Sequence, residues 1–229
     1  MAIIPDGNGR WALQRGRPRR AGHQAGAENV RRIVDAAANL GVGTLTLFAF
    51  SGDNWERPPG EVDALFGVVR QVMLDQASHW VTRGIRLRVV GRRDRLPSLL
   101  RAVIQSVEEA TAEGVTMQLR IALDYSSREQ ILRAATRFYT TLEISQEAFG
   151  RMLGRVSHAG EDVPDVDLLI RAGGEQRLSD FLLWECAYAE MVFSKKMWPD
   201  FGAADLEAAI REYHMRARRF GRVPEEKAG

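Results

Sequence analysis

The sequence contains a single cysteine, Cys186, so it cannot form an intramolecular disulfide. It also has no apolar run long enough to cross a membrane and no signal-peptide pattern, and these absences together predict a protein of the reducing cytoplasm. An excess of charge of one sign is missing too, because 32 Lys and Arg face 30 Asp and Glu. A net charge this small argues against a general nucleic-acid-binding protein.

Several common catalytic motifs are missing as well. There is no G-x-x-x-x-G-K-[ST] and no G-x-G-x-x-G, so binding of ATP or a dinucleotide has little support. There is no Cys/His cluster with zinc spacing and no G-x-S-x-G nucleophile turn. Cys186 lies in an apolar stretch that we predict to be helical, and there a core residue is expected more often than a nucleophile.

What is present is the composition of an ordinary globular domain. Hydrophobic residues make up 45% of the 229 positions and charged residues 27%, and no low-complexity linker divides the chain. We therefore expect one domain over residues 1–229, with 221–229 as a flexible tail.

Short apolar runs alternate with segments of helical period along the chain. The predicted strands are Ala2–Ile4, Thr44–Phe50, Ile85–Val90, Met117–Leu123, Val166–Ile170 and Glu190–Phe193. The predicted helices are Ala25–Leu40, Glu61–Arg83, Leu99–Glu113, Glu129–Thr141 and Ala203–Arg219, with a short helix between Ser145 and Pro164. This alternation predicts an α/β fold with a mostly parallel central sheet flanked by helices.

Three polar loops follow predicted strands: Asp6–Arg10, Ser51–Arg57 and Arg171–Ser179. Ligands of parallel sheets bind outside the carboxyl ends of the strands, so we expect these loops to meet at one edge. The first loop contains a carboxylate, two glycines and Arg10, which are groups that can bind a magnesium-bound polyphosphate. The alternative is an ordinary strand–turn–helix connection in which Asp6 caps the helix.

Arginines are concentrated in the first and last of these regions. Several arginines around one cleft repel one another unless anions neutralise them, and their planar forks match phosphate oxygens. Two separate groups, one near Arg10 and one from Arg171 to Arg177, therefore suggest two phosphorylated ligands. A solvated surface cluster is the alternative for the residues between Arg10 and Arg20.

Five motifs, taken in order, resemble those of the cis-prenyltransferase family, whose typical bacterial member is undecaprenyl diphosphate synthase. They are Asp6-Gly7-Asn8-Gly9-Arg10-Trp11-Ala12, Gly22-His23-x-x-Gly26, Phe50-Ser51-x-Asp53-Asn54-Trp55-x-Arg57-Pro58, the segment from Asp167 to Phe181, and Trp184-x-x-Ala187-Tyr188-Ala189-Glu190. The resemblance runs from Ala2 to about Gly221. It implies Mg2+-dependent elongation of an allylic diphosphate, commonly farnesyl diphosphate, with isopentenyl diphosphate to a cis-polyprenyl diphosphate.

The resemblance also implies roles for individual residues. Asp6 and Glu190 would hold the metal, and Asp6, Ser51, Asn54 and Trp55 would take part in the chemistry. The allylic diphosphate would contact Gly7, Asn8, Gly9, Arg10, Trp11, Arg19, His23 and Arg57. The isopentenyl diphosphate would contact Arg171, Arg177 and Ser179. The growing tail would enter an apolar tunnel lined by Ala49, Leu65, Phe66 and Val69, for which plain helix core is the alternative.

A homodimer and contact with a membrane surface through the lipid product are further implications of the resemblance. The chain departs from the family pattern at Pro5, at Gly52-Asp53 and at Asp124-Tyr125-Ser126-Ser127-Arg128, where Asn-Tyr-Gly-Gly-Arg is more frequent. Such departures leave open a terpenoid enzyme of the same fold with a short, irregular or cyclised product. A non-catalytic partner subunit is a third reading, disfavoured because Asp6, Arg10, Arg57, Arg171, Arg177 and Glu190 are all present.

Overall fold

A computed structural model describes residues 1–138, 144–160 and 163–216. Its centre is a six-stranded sheet of order β3-β4-β2-β1-β5-β6, in which every strand pair is parallel. The strands are β1 (Ala2–Ile4), β2 (Thr44–Phe48), β3 (Ile85–Val90), β4 (Met117–Ala122), β5 (Leu168–Arg171) and β6 (Glu190–Phe193). The expected α/β architecture is therefore confirmed.

Helices flank this sheet. They are α1 (Asn8–Leu13), α2 (Arg19–Asn39), α3 (Pro59–Thr82), α4 (Ser98–Ala110), α5 (Ser127–Phe138), α6 (Gln146–Val156) and α7 (Ala203–Met215). Two short 3-10 helices, Gly52–Glu56 and Trp198–Asp200, follow β2 and precede α7. No described helix is both long and apolar enough to cross a bilayer.

The shortest strand, β1, lies at the centre of the sheet between β2 and β5. All of its residues are buried: Ile3 packs into the main core, and Ala2 and Ile4 pack on the other face against Phe181 and Leu182. A strand buried on both faces has an uninterrupted apolar sequence. Its last residue, Ile4, is level with Arg171 at the end of β5. Asp6 and Arg171 consequently emerge at the same edge of the sheet.

Most predicted elements match, and the differences lie at their ends. Helix α2 begins at Arg19 instead of Ala25, because extended Pro18 starts the helix before its apolar period becomes visible. Strand β2 ends at Phe48 because the next two amides, of Ala49 and Phe50, both donate to the Ala122 carbonyl. The predicted ends of two helices, at Thr141 and Arg219, and the tail from 221 to 229 lie outside the described residues.

The segment around Cys186 is the clearest correction. It was predicted to be an apolar helix, but it forms a series of turns that lead into β6. Ser179, Asp180 and Leu182 have positive φ angles of 51°, 60° and 49°, which a helix cannot accommodate. Cys186 is buried as expected of a core residue, and burial raises the pKa of its thiol to about 12. A thiol of this kind is a poor nucleophile.

Candidate functional site

A cavity of about 360 Å³ opens at the carboxyl ends of β1, β2 and β5, between the sheet and helices α2 and α3. Its mouth is polar and its depth is apolar. The polar lining comes from Asp6, Asn8, Arg10, Arg19, His23, Ser51, Asn54, Arg57, Arg171 and Ser179. The apolar lining includes Ala27, Val30, Leu47, Ala49, Leu65, Val68, Val69, Val72 and Ile121. The three polar loops of the sequence thus meet at one site.

The carboxylate of Asp6 is the central acid of this mouth. Its Oδ1 accepts the Gly7 N–H at 2.6 Å and lies 3.4 Å from Arg10 Nη2, while its Oδ2 accepts Arg171 Nη2 at 2.9 Å. Partial burial raises the pKa of this carboxyl, but the bonds from Arg171 and Gly7 and the charge of Arg10 outweigh it. The net pKa lies below the ordinary value. Asp6 is therefore ionised at neutral pH.

Close packing of two helices fixes the loop that carries Asp6. Gly7 has a left-handed φ of 97° and is the N-cap of α1, so Asp6 is not the helix cap that the alternative reading required. Helix α1 then lies so close to α2 that a Cβ added at Gly22 would meet the Asn8 carbonyl oxygen at 1.9 Å. The glycine of the Gly22-His23-x-x-Gly26 motif thus allows the approach that positions the Asp6–Arg10 loop.

Asn8 has a buried side-chain oxygen at this site that lacks a hydrogen-bond partner among the described residues. Its side-chain Oδ1 is buried and finds no hydrogen-bond partner among residues 1–138, 144–160 and 163–216. A buried polar atom without a partner costs free energy, so such an atom beside a cavity is consistent with a ligand that supplies the partner. Trp11, by contrast, faces the outside of α1: its indole N–H donates to Asp200 at 2.8 Å, and Arg15 stacks on its ring.

Arg171 joins the last loop to Asp6. Its side chain is only 5% exposed and donates to Ser179 Oγ at 2.8 Å, to the Arg177 carbonyl and to Asp6. The guanidinium of Arg177 is 62% exposed and pairs with Glu175, which also lies 3.5 Å from Arg10. Ser179 and Arg171 line the cavity, whereas the Arg177 side chain lies outside its lining in this exposed pair.

A second group of cations surrounds Glu61, on the first turn of α3. Its Oε1 accepts Arg57 Nη1 at 2.9 Å, and it lies 3.7 Å from His23 Nε2 and 4.0 Å from Arg19 Nε. Burial lowers the pKa of His23, as do the charges of Arg57 and Arg19, and Glu61 opposes this only in part. Sequence reasoning missed Glu61. Its position four residues after Arg57 is the signal that could have identified it.

The loop after β2 brings Ser51 and Asn54 to the cavity and anchors Trp55 behind it. Asn54 Oδ1 accepts the Ser51 N–H at 3.1 Å, which closes the turn. Trp55 packs edge-on against Phe50, with ring centroids 5.4 Å apart, and donates its indole N–H to Asp124 at 2.8 Å. Ser51 and Asn54 thus line the cavity, and Trp55 supports their turn from behind.

Of the four predicted tunnel residues, three line the cavity and one lies behind it. Ala49, Leu65 and Val69 line the cavity. Phe66 instead packs against Phe50, with centroids 4.8 Å apart, and is buried in the main core. Phe66 is therefore a residue of the hydrophobic core, which was the alternative to a place in the tunnel. A wide groove between α2 and α3 adjoins the cavity and shares lining residues with it.

Glu190 does not join the site within one chain. It opens β6 and pairs with Leu168 at the amino end of β5, whereas Asp6 follows the carboxyl end of β1. With a rise of about 3.3 Å per residue, the two carboxylates lie roughly 10 Å or more apart along the strands. Glu190 instead accepts Arg216 Nη1 at 2.8 Å. The predicted sharing of one metal by Asp6 and Glu190 is therefore not provided by a single chain, because strand register is a tertiary property.

The site fits Mg2+ in one particular way. Among the residues described, no three His, Cys, Asp or Glu side chains form a group that could hold a metal ion. Mg2+ often takes one or two carboxylates and completes its shell with water and substrate phosphate oxygens. A single carboxylate, Asp6, beside an arginine-lined mouth matches that arrangement.

An α/β fold with an arginine-lined mouth over an apolar cavity is typical of an enzyme that handles a phosphorylated lipid precursor. Residues 4–221 match a family model described as "Putative undecaprenyl diphosphate synthase". The chain belongs to this family of isoprenyl transferases, and it is a prenyl-transferring enzyme.

Individual relatives agree along nearly the whole chain. Isoprenyl transferase 1 of Bradyrhizobium diazoefficiens is 52% identical over 96% of this chain and 88% of its own length. The isoprenyl transferase of Aquifex pyrophilus is 45% identical over 99% and 96% of the two chains.

Solved structures agree as well. Lavandulyl diphosphate synthase from Lavandula x intermedia, in complex with dimethylallyl diphosphate, is similar with a TM-score of 0.90 and 35% identity over 96% of each chain. A "probable undecaprenyl diphosphate synthase" from Campylobacter jejuni has a TM-score of 0.80 and 31% identity, also over 96% of each chain.

Proposed function

We propose that this enzyme condenses isopentenyl diphosphate with an allylic diphosphate, in the presence of Mg2+, to give a cis-polyprenyl diphosphate. Farnesyl diphosphate is the starter and undecaprenyl diphosphate the type of product. The observation that carries the proposal is the composition of one cavity: Asp6 and four arginines (Arg10, Arg19, Arg57 and Arg171) at the mouth, and an apolar wall behind them. Diphosphates match the mouth and an isoprenoid tail matches the wall.

The two arginine groups suit two diphosphates. The Gly7–Arg10 loop, Arg19 and Arg57 bind the allylic diphosphate, with neutral His23 beside it. Arg171, Arg177 and Ser179 bind the isopentenyl diphosphate. Asp6 accepts a bond from Arg171 and lies near Arg10, so it stands between the two groups. The carboxylate of Asp6 would hold the Mg2+, which would supply positive charge beside the phosphates.

The proposed chemistry begins when the carbon–oxygen bond of the allylic diphosphate breaks, and the departing pyrophosphate takes the electron pair. The double bond of isopentenyl diphosphate then attacks the allylic carbon. The departing pyrophosphate takes the proton whose loss restores a double bond. When bound, Mg2+ supplies positive charge that stabilises the leaving pyrophosphate. Arg10, Arg19 and Arg57 add fixed charge there, and Ser51 and Asn54 orient the two substrates for the transfer.

A second candidate is a short-chain or irregular prenyl product made by the same site. The similarity to lavandulyl diphosphate synthase, at a TM-score of 0.90, favours this reading, as does a cavity of only about 360 Å³. The groove between α2 and α3 favours the long product, because it extends the cavity for a growing chain.

Product analysis separates these candidates. The protein would be incubated with isopentenyl diphosphate, Mg2+ and, in turn, dimethylallyl, geranyl, farnesyl and geranylgeranyl diphosphates, and the products sized by mass spectrometry. A ladder ending in a long polyprenyl diphosphate supports the first proposal. A single short, branched or cyclic product establishes the second. Absence of turnover with every starter, at any Mg2+ concentration, contradicts both and supports a non-catalytic partner subunit.

The cellular context follows from the same proposal. A long polyprenyl diphosphate would serve as a lipid carrier for cell-wall sugars, made in the cytoplasm by a homodimer and released at the membrane surface. Sedimentation of the purified protein, alone and with phospholipid vesicles, tests the dimer and the membrane contact separately.

A further inference from the structure

The loop that follows β4 contains a buried carboxylate, Asp124, whose side chain is fully inaccessible to solvent. Both of its oxygens are occupied by Arg95, whose Nε donates to Oδ2 at 2.8 Å and whose Nη2 donates to Oδ1. Oδ1 also accepts the indole N–H of Trp55 at 2.8 Å. One buried acid therefore ties an arginine of the β3–α4 connection to a tryptophan of the loop after β2.

The backbone at Asp124 indicates that this arrangement is held in place by its surroundings. Asp124 has a φ of 49°, in the left-handed region that residues other than glycine seldom adopt. Such a conformation costs free energy and persists where neighbouring contacts enforce it. The carboxylate is thereby directed at Trp55 across the ends of β2 and β4.

Trp55 holds the segment that carries polar groups into the cavity. It lies in the 3-10 helix Gly52–Glu56, next to Asn54 and two residues before Arg57, and both of these line the cavity. Its ring is fixed by Phe50 and Phe66 on one side, while the Arg95 guanidinium lies 5.4 Å from its centroid. The bond to Asp124 adds a direction to this packing, because the indole N–H points at the carboxylate.

We propose that Asp124 and Arg95 are positioning residues for prenyl transfer, acting through Trp55 to hold Asn54 and Arg57 at the cavity. Arg95 neutralises the buried carboxylate and Asp124 orients the indole. The ring then fixes the turn that carries the two cavity groups. This inference rests on the proposed function for its effect on turnover, and on the structure alone for its effect on the loop.

The decisive experiment follows the Trp55 indole N–H by 15N NMR, with its signal identified by its loss in Trp55→Phe. Asp124→Leu removes the acceptor at similar volume, Asp124→Asn retains an acceptor oxygen, and Arg95→Gln removes the cation. Arg93→Gln is the matched control, because Arg93 belongs to the same connection but pairs with Glu108. Turnover is measured for the same variants with farnesyl and isopentenyl diphosphates.

We expect hydrogen exchange of the Trp55 N–H to be at least about tenfold faster in Asp124→Leu and Arg95→Gln, since the bond that protects it is lost or weakened. In Asp124→Leu, kcat should fall roughly 10- to 100-fold because Asn54 and Arg57 are misplaced. The KM for isopentenyl diphosphate, whose proposed ligands are elsewhere, should change little. Asp124→Asn should recover most of the loss, and Arg93→Gln should behave like the parent protein.

Trp55→Phe supplies a test that a merely structural role would not satisfy. It keeps a ring and removes the donor, so adding Asp124→Leu to it should lower kcat no further. A fall in kcat of the double variant equal to the product of the falls in the two single variants would overturn the inference. So would unchanged exchange of the indole N–H in both Asp124→Leu and Arg95→Gln. If the parent protein shows no turnover, the proposed function fails, while the exchange data still decide whether Asp124 and Arg95 hold Trp55.

Discussion

Asp6 is the residue on which both halves of the site depend. Its two oxygens are held by Gly7 and Arg171, and Arg10 lies close to one of them. A carboxylate has more acceptor positions than these donors occupy, so it can still bind a cation. Asp6 therefore combines a positioning role toward Arg171 with the proposed metal role.

Asp6→Asn should test the metal role directly. The amide keeps the shape and an acceptor oxygen but loses the charge that a cation needs, so kcat should fall by roughly 100-fold or more. Steady-state kinetics over a range of Mg2+ concentrations would measure it. Asp94→Asn is the matched control, because Asp94 is an exposed acid paired with Arg92. Parent-like turnover in Asp6→Asn would contradict the assignment.

His23 should report the arrival of a diphosphate. Burial and the nearby Arg57 and Arg19 lower its pKa below 6.5 in the free protein. A bound diphosphate neutralises those arginines, so the pKa of His23 should rise, and binding should take up a proton at mildly acidic pH. NMR titration with and without pyrophosphate would show this. His158, whose pKa is lowered by burial and by Arg93, should not respond.

The same shift has a consequence for stability. Because the folded pKa of His23 is below the unfolded value, the unfolded chain binds the proton more tightly. Its contribution to the free energy of unfolding is therefore complete above about pH 6.5 and is lost as the pH falls below it. Pyrophosphate should reduce that loss, and urea unfolding at several pH values would detect the difference.

At the scale of elements, the contact between α1 and α2 sets the geometry of the mouth. Gly22 and Gly26 face Asn8, and a Cβ at either would lie within 2.4 Å of an Asn8 oxygen. The first helix is only six residues long and has no side-chain cap, so it depends on this contact for its position.

Gly22→Ala should therefore both destabilise the protein and displace the Asp6–Arg10 loop. Forced overpacking of this kind costs about 1–3 kcal/mol of unfolding free energy. Gly67→Ala, in α3, is the matched control, since no atom lies within 4 Å of its added Cβ and alanine is the better helix former. Urea unfolding of both variants would measure the effect. If Gly22→Ala were as stable as the parent protein, α1 could shift away from α2 without cost, and the contact would not fix the loop.

The sequence predicts features that depend on local patterns, and it does not predict features that depend on which elements the fold brings together. Local patterns predict the strands and the polar loops that follow them. The rule that such loops meet at one edge of a parallel sheet then predicts that Ser51, Asn54 and Arg57 lie at the cavity. The roles of Glu61, Glu175 and Arg95 do not follow from local patterns, because each depends on a side-chain partner brought close by folding. The distance between Glu190 and Asp6 within one chain has the same cause, since no local pattern shows which end of β6 faces Asp6.

At the scale of the whole molecule, the nearly neutral net charge conceals an uneven distribution. The formal charge is only +2, yet arginines from α1, α2, the loop after β2 and β5 line one cavity. Their mutual repulsion is part of the cost of the folded state, and an anion that binds there relieves it.

Pyrophosphate alone should accordingly stabilise the fold. A ligand at 100 times its Kd adds about 2.7 kcal/mol to the unfolding free energy, so Tm should rise measurably with pyrophosphate concentration. Thermal unfolding at constant ionic strength, with sodium chloride as the control salt, would isolate specific binding. Arg57→Gln should reduce the shift, whereas Arg211→Gln, on exposed α7, should not. Equal shifts with chloride and pyrophosphate would contradict a diphosphate site.

The position of β1 also determines when the site comes into existence. Arg171 donates the hydrogen bond that Asp6 accepts, and the two residues lie 165 positions apart in the chain. During synthesis the carboxylate emerges among the earliest residues, but its arginine follows only after most of the sheet has been made. A nascent chain that has not yet docked β5 beside β1 has no complete diphosphate mouth. The site is therefore a product of the complete central sheet and not of any local segment of the chain.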